Sequence, residues 1–223
     1  MRLPEWIPAK VAIFLVIFCM PILGHAQKND ATIRFYLKNI DSVFAANYIF
    51  NYAGDFSCKA RCLLHMTDYR GVLKNIDTAV YQLFYNRGKL DSLQIIDSAK
   101  AKGNIMPDSL HPLLPWKDSN SYYFFPNDTG AGSLAIGFEP ADTTRPDLPA
   151  GFLNLNRNDY TLEYISLAFP RPKDYERASR SYRFERLGQH IILIRQESNN
   201  IKLAFLGRQY IKRIYEFYDY QIR

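Results

Sequence analysis

The chain has 223 residues, with 28 Lys and Arg against 22 Asp and Glu and a formal net charge of +6. Its basic residues are interspersed with acidic ones rather than clustered, which argues against a nucleic-acid-binding surface. Aromatic residues make up 15% of the chain, and this enrichment favours β-sheet over a helical bundle.

The first 26 residues have the three-part pattern of a secretory signal peptide. A positively charged start precedes an unbroken apolar run over 11–20, and the small residues Gly24 and Ala26 follow. We predict cleavage between Ala26 and Gln27. An uncleaved anchor is disfavoured because the uncharged segment Val11–Ala26 has sixteen residues, short of the ~20 that span a bilayer.

The mature chain, residues 27–223, is predicted to be a single mostly-β domain. It has 197 residues (223 minus 26), and the loss of Arg2, Lys10 and Glu5 lowers its net charge from +6 to +5. No second apolar run approaches spanning length. We therefore expect the exported protein to be peripheral to a membrane at most, in a bacterial periplasm or outside the cell.

The segment Ala31–Ala46 is predicted to be a helix. Its apolar residues recur at helical spacing and form one stripe, with polar residues opposite. The stripe consists of Ile33, Leu37, Ile40, Val43 and Phe44.

The segment Phe56–Met66 alternates between apolar and polar residues, which predicts a half-buried strand. Val72–Tyr85 fits a helix, whereas Thr78–Tyr85 within it fits a strand, and we favour the strand. Asn86-Arg87-Gly88-Lys89 then predicts a hairpin turn into a strand at Leu90–Ile96.

The second half of the chain is predicted to be antiparallel sheet. A proline-containing loop covers Gly103–Asn120, and exposed connections cover Glu139–Gly151 and Pro170–Ala178. Strands are predicted at Tyr122–Phe125, Leu134–Phe138, Phe152–Leu155, Tyr160–Phe169, Tyr182–Leu187, Ile191–Arg195 and Ile201–Leu206, with a turn at Glu197–Asn200 between the last two. Tyr210–Ile222 fits a strand or a helix, and its Tyr and Ile content favours the strand.

One helix followed by about ten antiparallel strands predicts an α+β, mostly antiparallel β fold. The N-terminal helix should pack on a curved meander sheet or half-barrel. Over most of the mature chain this order resembles the LolA-like periplasmic lipoprotein-carrier half-barrels, without a diagnostic motif. The resemblance implies a sheet that cups an apolar cavity and binds a lipid or acyl chain.

The leading hypothesis is therefore an exported, non-catalytic envelope protein. It would bind an apolar ligand, such as a lipid or acyl chain, or an envelope protein through the curved sheet. An alternative is a structural accessory subunit of an envelope complex, whose aromatic sheet face docks on another protein.

A further alternative is a dimeric aspartic peptidase. Asp128-Thr129-Gly130 resembles the active-site motif of retroviral-type aspartic peptidases, and Phe205-Leu206-Gly207-Arg208 resembles their second motif. Two such aspartates, one from each subunit, would share a proton and activate a water. The sequence departs from the pattern because Pro126-Asn127 replaces the apolar pair that precedes the aspartate. No catalytic residue is predicted outside this alternative.

No metal site and no cofactor is predicted. Cys58, Cys62 and His65 have a spacing unlike that of zinc sites, and on a strand His65 would face away from both thiols. The glycines at 130, 132 and 137 do not match the dinucleotide-binding pattern, because no helix follows them in a βαβ unit.

Cys58 and Cys62 are the two cysteines of the mature chain. Four residues along a strand separate Cα atoms by ~13 Å, whereas a disulfide needs about 4.4–6.8 Å. The strand at Phe56–Met66 therefore predicts two free, buried thiols, although an oxidising compartment favours disulfides.

Overall fold

A computed structural model describes residues 31–68, 70, 72–97, 110–128, 132–170, 175–204 and 207–223. The predicted signal peptide, its cleavage site and the first part of the proline-containing loop lie outside these residues. Within them, the fold class predicted from the sequence is confirmed: one N-terminal helix packs on an open, curved antiparallel sheet.

Helix α1 spans Ala31–Asn47, one residue beyond its predicted end. It buries Ile33, Leu37, Ile40 and Phe44, the stripe expected from the helical spacing. The Phe44 ring stacks on Tyr48, with centroids 4.4 Å apart, and meets the edge of Phe184 at 5.5 Å. These contacts fix the helix against the sheet, because buried aromatic pairs add packing energy beyond their area.

In the described part of the chain, ten strands follow α1, all of them pairing antiparallel. They are β1 (Phe56–Thr67), β2 (Leu73–Asn86), β3 (Lys89–Asp97), β4 (Tyr122–Asp128), β5 (Ser133–Pro140), β6 (Ala150–Asn156), β7 (Leu162–Phe169), β8 (Arg177–Leu187), β9 (His190–Ala204) and β10 (Gly207–Ile222). Their order in the sheet is β3-β2-β1-β10-β9-β8-β7-β6-β5-β4.

The sheet is made of two meanders rather than one. Strands β1–β3 form the first and β4–β10 the second, and β1 joins them by pairing with β10. As a result β3 and β4, neighbours in the sequence, lie at opposite edges. The chain between them includes a 3-10 helix at Pro115–Ser121, where the Trp116 indole donates to Asp41 of α1 at 3.0 Å.

Two sequence predictions about the late strands were wrong. The segment Glu197–Asn200 is not a turn: it lies inside β9, paired with β10 on one side and β8 on the other. The predicted loop at Pro170–Ala178 ends earlier, because β8 begins at Arg177. Arg177, Ala178 and the segment Glu197–Asn200 are strand because neighbouring strands satisfy their backbone groups. The strand at Tyr210–Ile222 is confirmed within β10.

Candidate functional site: two faces and a free edge of the sheet

The inner face of the sheet, which faces α1, is filled by aromatic side chains. Phe56 and Tyr85 stack with their centroids 4.5 Å apart, and the Phe50 ring meets both edge-on at 5.6 and 5.1 Å. Tyr48 and Tyr81 are only 1% exposed. Among the described residues, this part of the inner face is therefore a packed aromatic core.

Two tyrosine hydroxyls connect this core to the backbone. The Tyr48 hydroxyl donates to the Leu110 carbonyl at 2.7 Å, and the Tyr220 hydroxyl donates to the Leu193 carbonyl at 2.6 Å. Burial raises the pKa of both phenols well above the ordinary value. They are therefore neutral donors, which matches their carbonyl partners.

The thiols of Cys58 and Cys62 lie on the inner face of β1. Both are free and fully buried, so the prediction made from strand geometry is confirmed. Burial raises the pKa of each thiol to about 12. At neutral pH both thiols are protonated, and a protonated thiol is neither a nucleophile nor a metal ligand.

The far end of the inner face is polar. Gln196, Ser198 and Asn200 follow one another at every second position of β9 and are buried. Gln196 lies between Tyr182 of β8 and Tyr215 of β10, and its side-chain oxygen has no hydrogen-bond partner among the described residues.

The outer face is held by ion pairs across β1, β10 and β9. Arg195 donates to Glu197 at 3.1 Å and to Glu216 at 3.2 Å, while Lys212 lies 2.9 Å from Glu197. Partial burial alone would raise the pKa of Glu197, but hydrogen bonds from Lys212, Asn199 and Arg195 outweigh it and lower that pKa to about 2. The carboxylate stays charged, and the network keeps this face polar.

The two edges of the sheet differ in exposure. Eight of the nine residues of β3 are exposed, and its outer side has no strand partner among the described residues. At the opposite edge, β4 buries Tyr122 and Phe124 and contains Pro126, which has no N–H to offer a further strand. Among the described residues, the β3 edge is therefore the one open to pairing.

Exposed apolar side chains concentrate near this open edge. Of the fourteen large hydrophobic side chains exposed in the described residues, seven lie between 72 and 96. These are Val72, Leu73, Ile76, Phe84, Leu90, Ile95 and Ile96. Exposed apolar surface concentrated in this way is typical of interaction sites.

A groove of about 510 Å³ lies beside the open edge, and we call it the edge groove. It is lined by Ser57, Gln82, Phe84, Gln94, Ile95, Ile96, Gln221 and Arg223. The edge groove offers an apolar base with amide groups around it, and such a lining suits one side chain of a bound segment.

The residues of the peptidase alternative lie in separate parts of the sheet. Asp128 is the last residue of the edge strand β4, while Thr129 and Gly130 lie outside the described residues. Gly207 and Arg208 begin β10, with five strands between it and β4. The Arg208 guanidinium makes two hydrogen bonds to Glu176, at 2.7 and 2.6 Å. The aspartic peptidase stays a prediction.

Cys58, Cys62 and His65 lie close together in the sequence. Along β1, His65 alternates with the two thiols, and it pairs with Ile76 of β2 and Lys212 of β10. In the described part of the chain, no group of three His, Cys, Asp or Glu side chains could hold a metal ion. Among the same residues, none of the helices has the length and apolar character needed to span a bilayer.

No family model matches the chain, and no curated protein matches it. Among solved structures, it is similar to an outer membrane lipoprotein-sorting protein domain from Vibrio parahaemolyticus, with 11% identity, a TM-score of 0.37 and coverage of 84% of this chain and 92% of that one. It is also similar to a DUF1329 family protein from Desulfovibrio piger, with 6% identity, a TM-score of 0.42 and coverage of 85% and 92%.

A third similar structure is MucB, solved in complex with MucA, with 10% identity, a TM-score of 0.28 and coverage of 83% and 93%. The first of these structures is of the lipoprotein-sorting kind that the order of elements led us to expect. With identities of 11% or less, these similarities concern the fold alone.

Proposed function

We propose that the protein is exported through the signal peptide at residues 1–26 and is a non-catalytic envelope protein that binds a partner polypeptide along β3. One observation carries this proposal: β3 is an open edge strand that exposes Leu90, Ile95 and Ile96. An exposed edge offers a row of unpaired N–H and C=O groups, so an extended segment can add to the sheet as a further strand.

A polypeptide partner agrees with the inner face better than a carried lipid does. The aromatic side chains Phe50, Phe56 and Tyr85 pack against one another in the hydrophobic core of this face. The exposed apolar side chains lie at the edge instead, where a bound strand would cover them.

The edge also limits which segments can bind. Two β-bulges interrupt the pairing of β3 with β2, leaving Asp91 and Ile96 as extra residues. Together with the charges of Lys89 and Asp97, these bulges discourage indiscriminate strand pairing. The partner is therefore a segment with alternating apolar side chains, one of which enters the edge groove beside Phe84.

The test places a photo-crosslinking amino acid at Ile96 in an exporting host. Leu187, which is also exposed and lies in the β8–β9 hairpin, is the control position. We expect polypeptide crosslinks at 96 and not at 187. A synthetic peptide of the crosslinked segment should then bind the purified protein and protect the β3 amides from hydrogen exchange.

Substitution sharpens this test. Ile95→Lys places a charge on the edge and should weaken peptide binding about tenfold or more, whereas Leu187→Lys should leave it unchanged. Crosslinking at 96 no stronger than at 187, or peptide binding indifferent to Ile95→Lys, would contradict the proposal. Native mass spectra that show bound lipid in both wild type and Ile95→Lys would favour the lipid carrier instead.

Export is tested separately by sequencing the N-terminus of protein recovered from the exporting host. We expect the mature chain to begin at Gln27. Retention of Met1 in the membrane fraction would contradict cleavage of the signal peptide. The binding of a polypeptide along β3 is tested independently, by the crosslinks.

A further inference from the structure

A second groove lies on the outer face where β6, β7 and β8 run side by side, and we call it the outer groove. Its volume is about 730 Å³, within the range of about 300–1,000 Å³ usual for small-molecule sites. The side chains that matter here are Phe152, Asn154, Asp159, Glu163, Tyr164 and Arg183.

A β-bulge shapes the floor of the outer groove. Asn154 pairs with Tyr164, but the next pair is Leu155 with Leu162, so Glu163 is an extra residue in β7. Glu163 and Tyr164 both line the groove opposite Asn154. Bulges that re-aim side chains in this way are over-represented beside functional sites.

Three aromatic rings cross the outer face next to this floor. The rings of Phe152 and Tyr164 lie 5.6 Å apart, tilted by 39°, and Phe152 is 39% exposed. Phe125 continues the row towards the β4 edge by lying across Gly137, where an added Cβ would clash with its ring. Gly137 pairs with both Phe125 and Phe152, so the rings form an aromatic strip across four strands.

The end wall of the groove is rigid. Asp159 accepts a hydrogen bond from the Thr161 amide at 3.0 Å and one from Arg186 at 2.7 Å, and Arg186 also donates to the Gly188 carbonyl at 3.2 Å. Tyr160, within the same turn, has a φ of 58°, a left-handed conformation that a large side chain adopts only where its surroundings hold it. The wall is therefore formed before any ligand arrives.

Much of the hydrogen-bonding capacity of the groove is unused. The side-chain oxygen of Asn154 has no partner among the described residues. The same residues supply no hydrogen bond or ion pair to Glu163, Arg183 or Glu185. These side chains lie beside the aromatic strip and can donate hydrogen bonds to a ligand or accept them from it.

We propose that the outer groove and the aromatic strip bind a linear, uncharged saccharide. A sugar ring presents C–H groups to the electron-rich face of an aromatic ring and hydroxyls that both donate and accept hydrogen bonds, which suits Asn154, Glu163 and Arg183. Two arginines against three carboxylates leave the groove nearly balanced in charge. An anionic polymer is disfavoured because the three carboxylates would repel it. An acyl chain is disfavoured because it would remove water from all five charged groups.

The test uses cellotetraose and tetra-N-acetylchitotetraose as probes, with saturation-transfer NMR and calorimetry on the purified full chain. At least one probe should bind with a millimolar dissociation constant or tighter. Phe152→Ala and Tyr164→Ala should each weaken binding about tenfold, because each removes a stacking surface. Tyr210→Ala, which removes an exposed aromatic ring at the far end of the sheet, should leave binding unchanged.

The variant Gly137→Ala tests whether the Phe125 ring of the aromatic strip contributes to binding. The added methyl group must displace the Phe125 ring, so binding of the tetrasaccharide should weaken while binding of the corresponding disaccharide does not change. If Phe152→Ala fails to fold, Glu163→Gln keeps the shape of the groove and should still weaken binding several-fold. The proposal is overturned if neither probe binds at about 10 mM, or if Tyr210→Ala weakens binding as much as the groove variants.

Discussion

The two faces of the sheet are built from alternate residues of the same strands, yet they differ in what they contact. On β2, Leu83 is completely buried on the inner face, whereas the next residue, Phe84, is 36% exposed beside the edge groove. The inner face packs aromatic rings and thiols, while the outer face carries ion pairs and grooves. The inner face therefore supplies packing, and our proposals place recognition on the outer face and at the β3 edge.

This division means that substitutions on the two faces should have different effects. Inner-face changes remove packing that nothing else replaces, so they should act on stability. Outer-face changes alter groups in contact with water, so they should act on binding and only weakly on stability. Four measurements test the division, in order of expected effect.

The largest expected effect concerns the inner-face thiols. A pKa raised from 9.0 to about 12 lowers the thiolate fraction at pH 8 about 1,000-fold. Native protein should therefore react with iodoacetamide about 1,000-fold more slowly than unfolded protein, and denatured, unreduced protein should take two labels. Absence of labels after denaturation would mean a disulfide between Cys58 and Cys62 and would contradict the burial of two free thiols.

The same thiols predict a pH dependence of stability. Because the folded pKa of each is raised, the unfolded state loses its proton first, so the stabilisation is complete below about pH 8.5 and is lost as pH rises towards about 12. Each thiol should contribute a fall of about 1.4 kcal/mol per pH unit in that window. In the double variant Cys58→Ala with Cys62→Ala, the free energy of unfolding should fall less steeply with rising pH. An unchanged slope would mean that the buried tyrosines, and not the thiols, cause the alkaline loss of stability.

A smaller effect is expected from truncating one inner-face side chain. Leu83→Ala should lower the free energy of unfolding by about 3 kcal/mol, because it removes apolar area and leaves a cavity in a packed core. Leu90→Ala, at a position 49% exposed, should change it by less than about 0.5 kcal/mol. Urea denaturation of both variants measures the difference, and equal losses would contradict the burial of Leu83.

The smallest effect is expected on the outer face. Glu197→Gln should lower stability at pH 7 by about 1 kcal/mol or less, since partly exposed ion pairs are screened by solvent. The folded pKa of Glu197 is lowered to about 2, so its contribution is present above about pH 4.3 and is lost as pH falls towards 2. Wild type and variant should therefore become equally stable near pH 2. A difference that persists there would mean that Glu197 acts through packing.

The sequence was informative wherever local periodicity dominates. The stripe of α1 and the alternation of β1 placed Leu37, Ile40 and the thiols on their buried sides, because period 3.6 and period 2 follow from backbone geometry alone. It was less informative at Glu197–Asn200. The polar residues of this segment predict a turn, but they form strand because β8 and β10 supply partners for their backbone hydrogen bonds.

The candidate site could not be predicted from local pattern. Nothing in the sequence of β3 distinguishes an edge strand from a central one, and β3 is an edge only because β1 pairs with β10, about 160 residues later in the chain. In the same way, Phe125, Phe152 and Tyr164 form one strip only after β4–β7 have paired in register.

The sequence by itself determined the fold class, the buried faces of α1 and β1 and the absence of a disulfide between Cys58 and Cys62. These follow from the spacing of side chains along one chain segment, which is set by covalent geometry. Tertiary structure decided which strand is left open, which apolar side chains remain exposed and which polar groups meet in a groove. Those properties depend on pairing between distant segments, whose partners and register no single segment specifies.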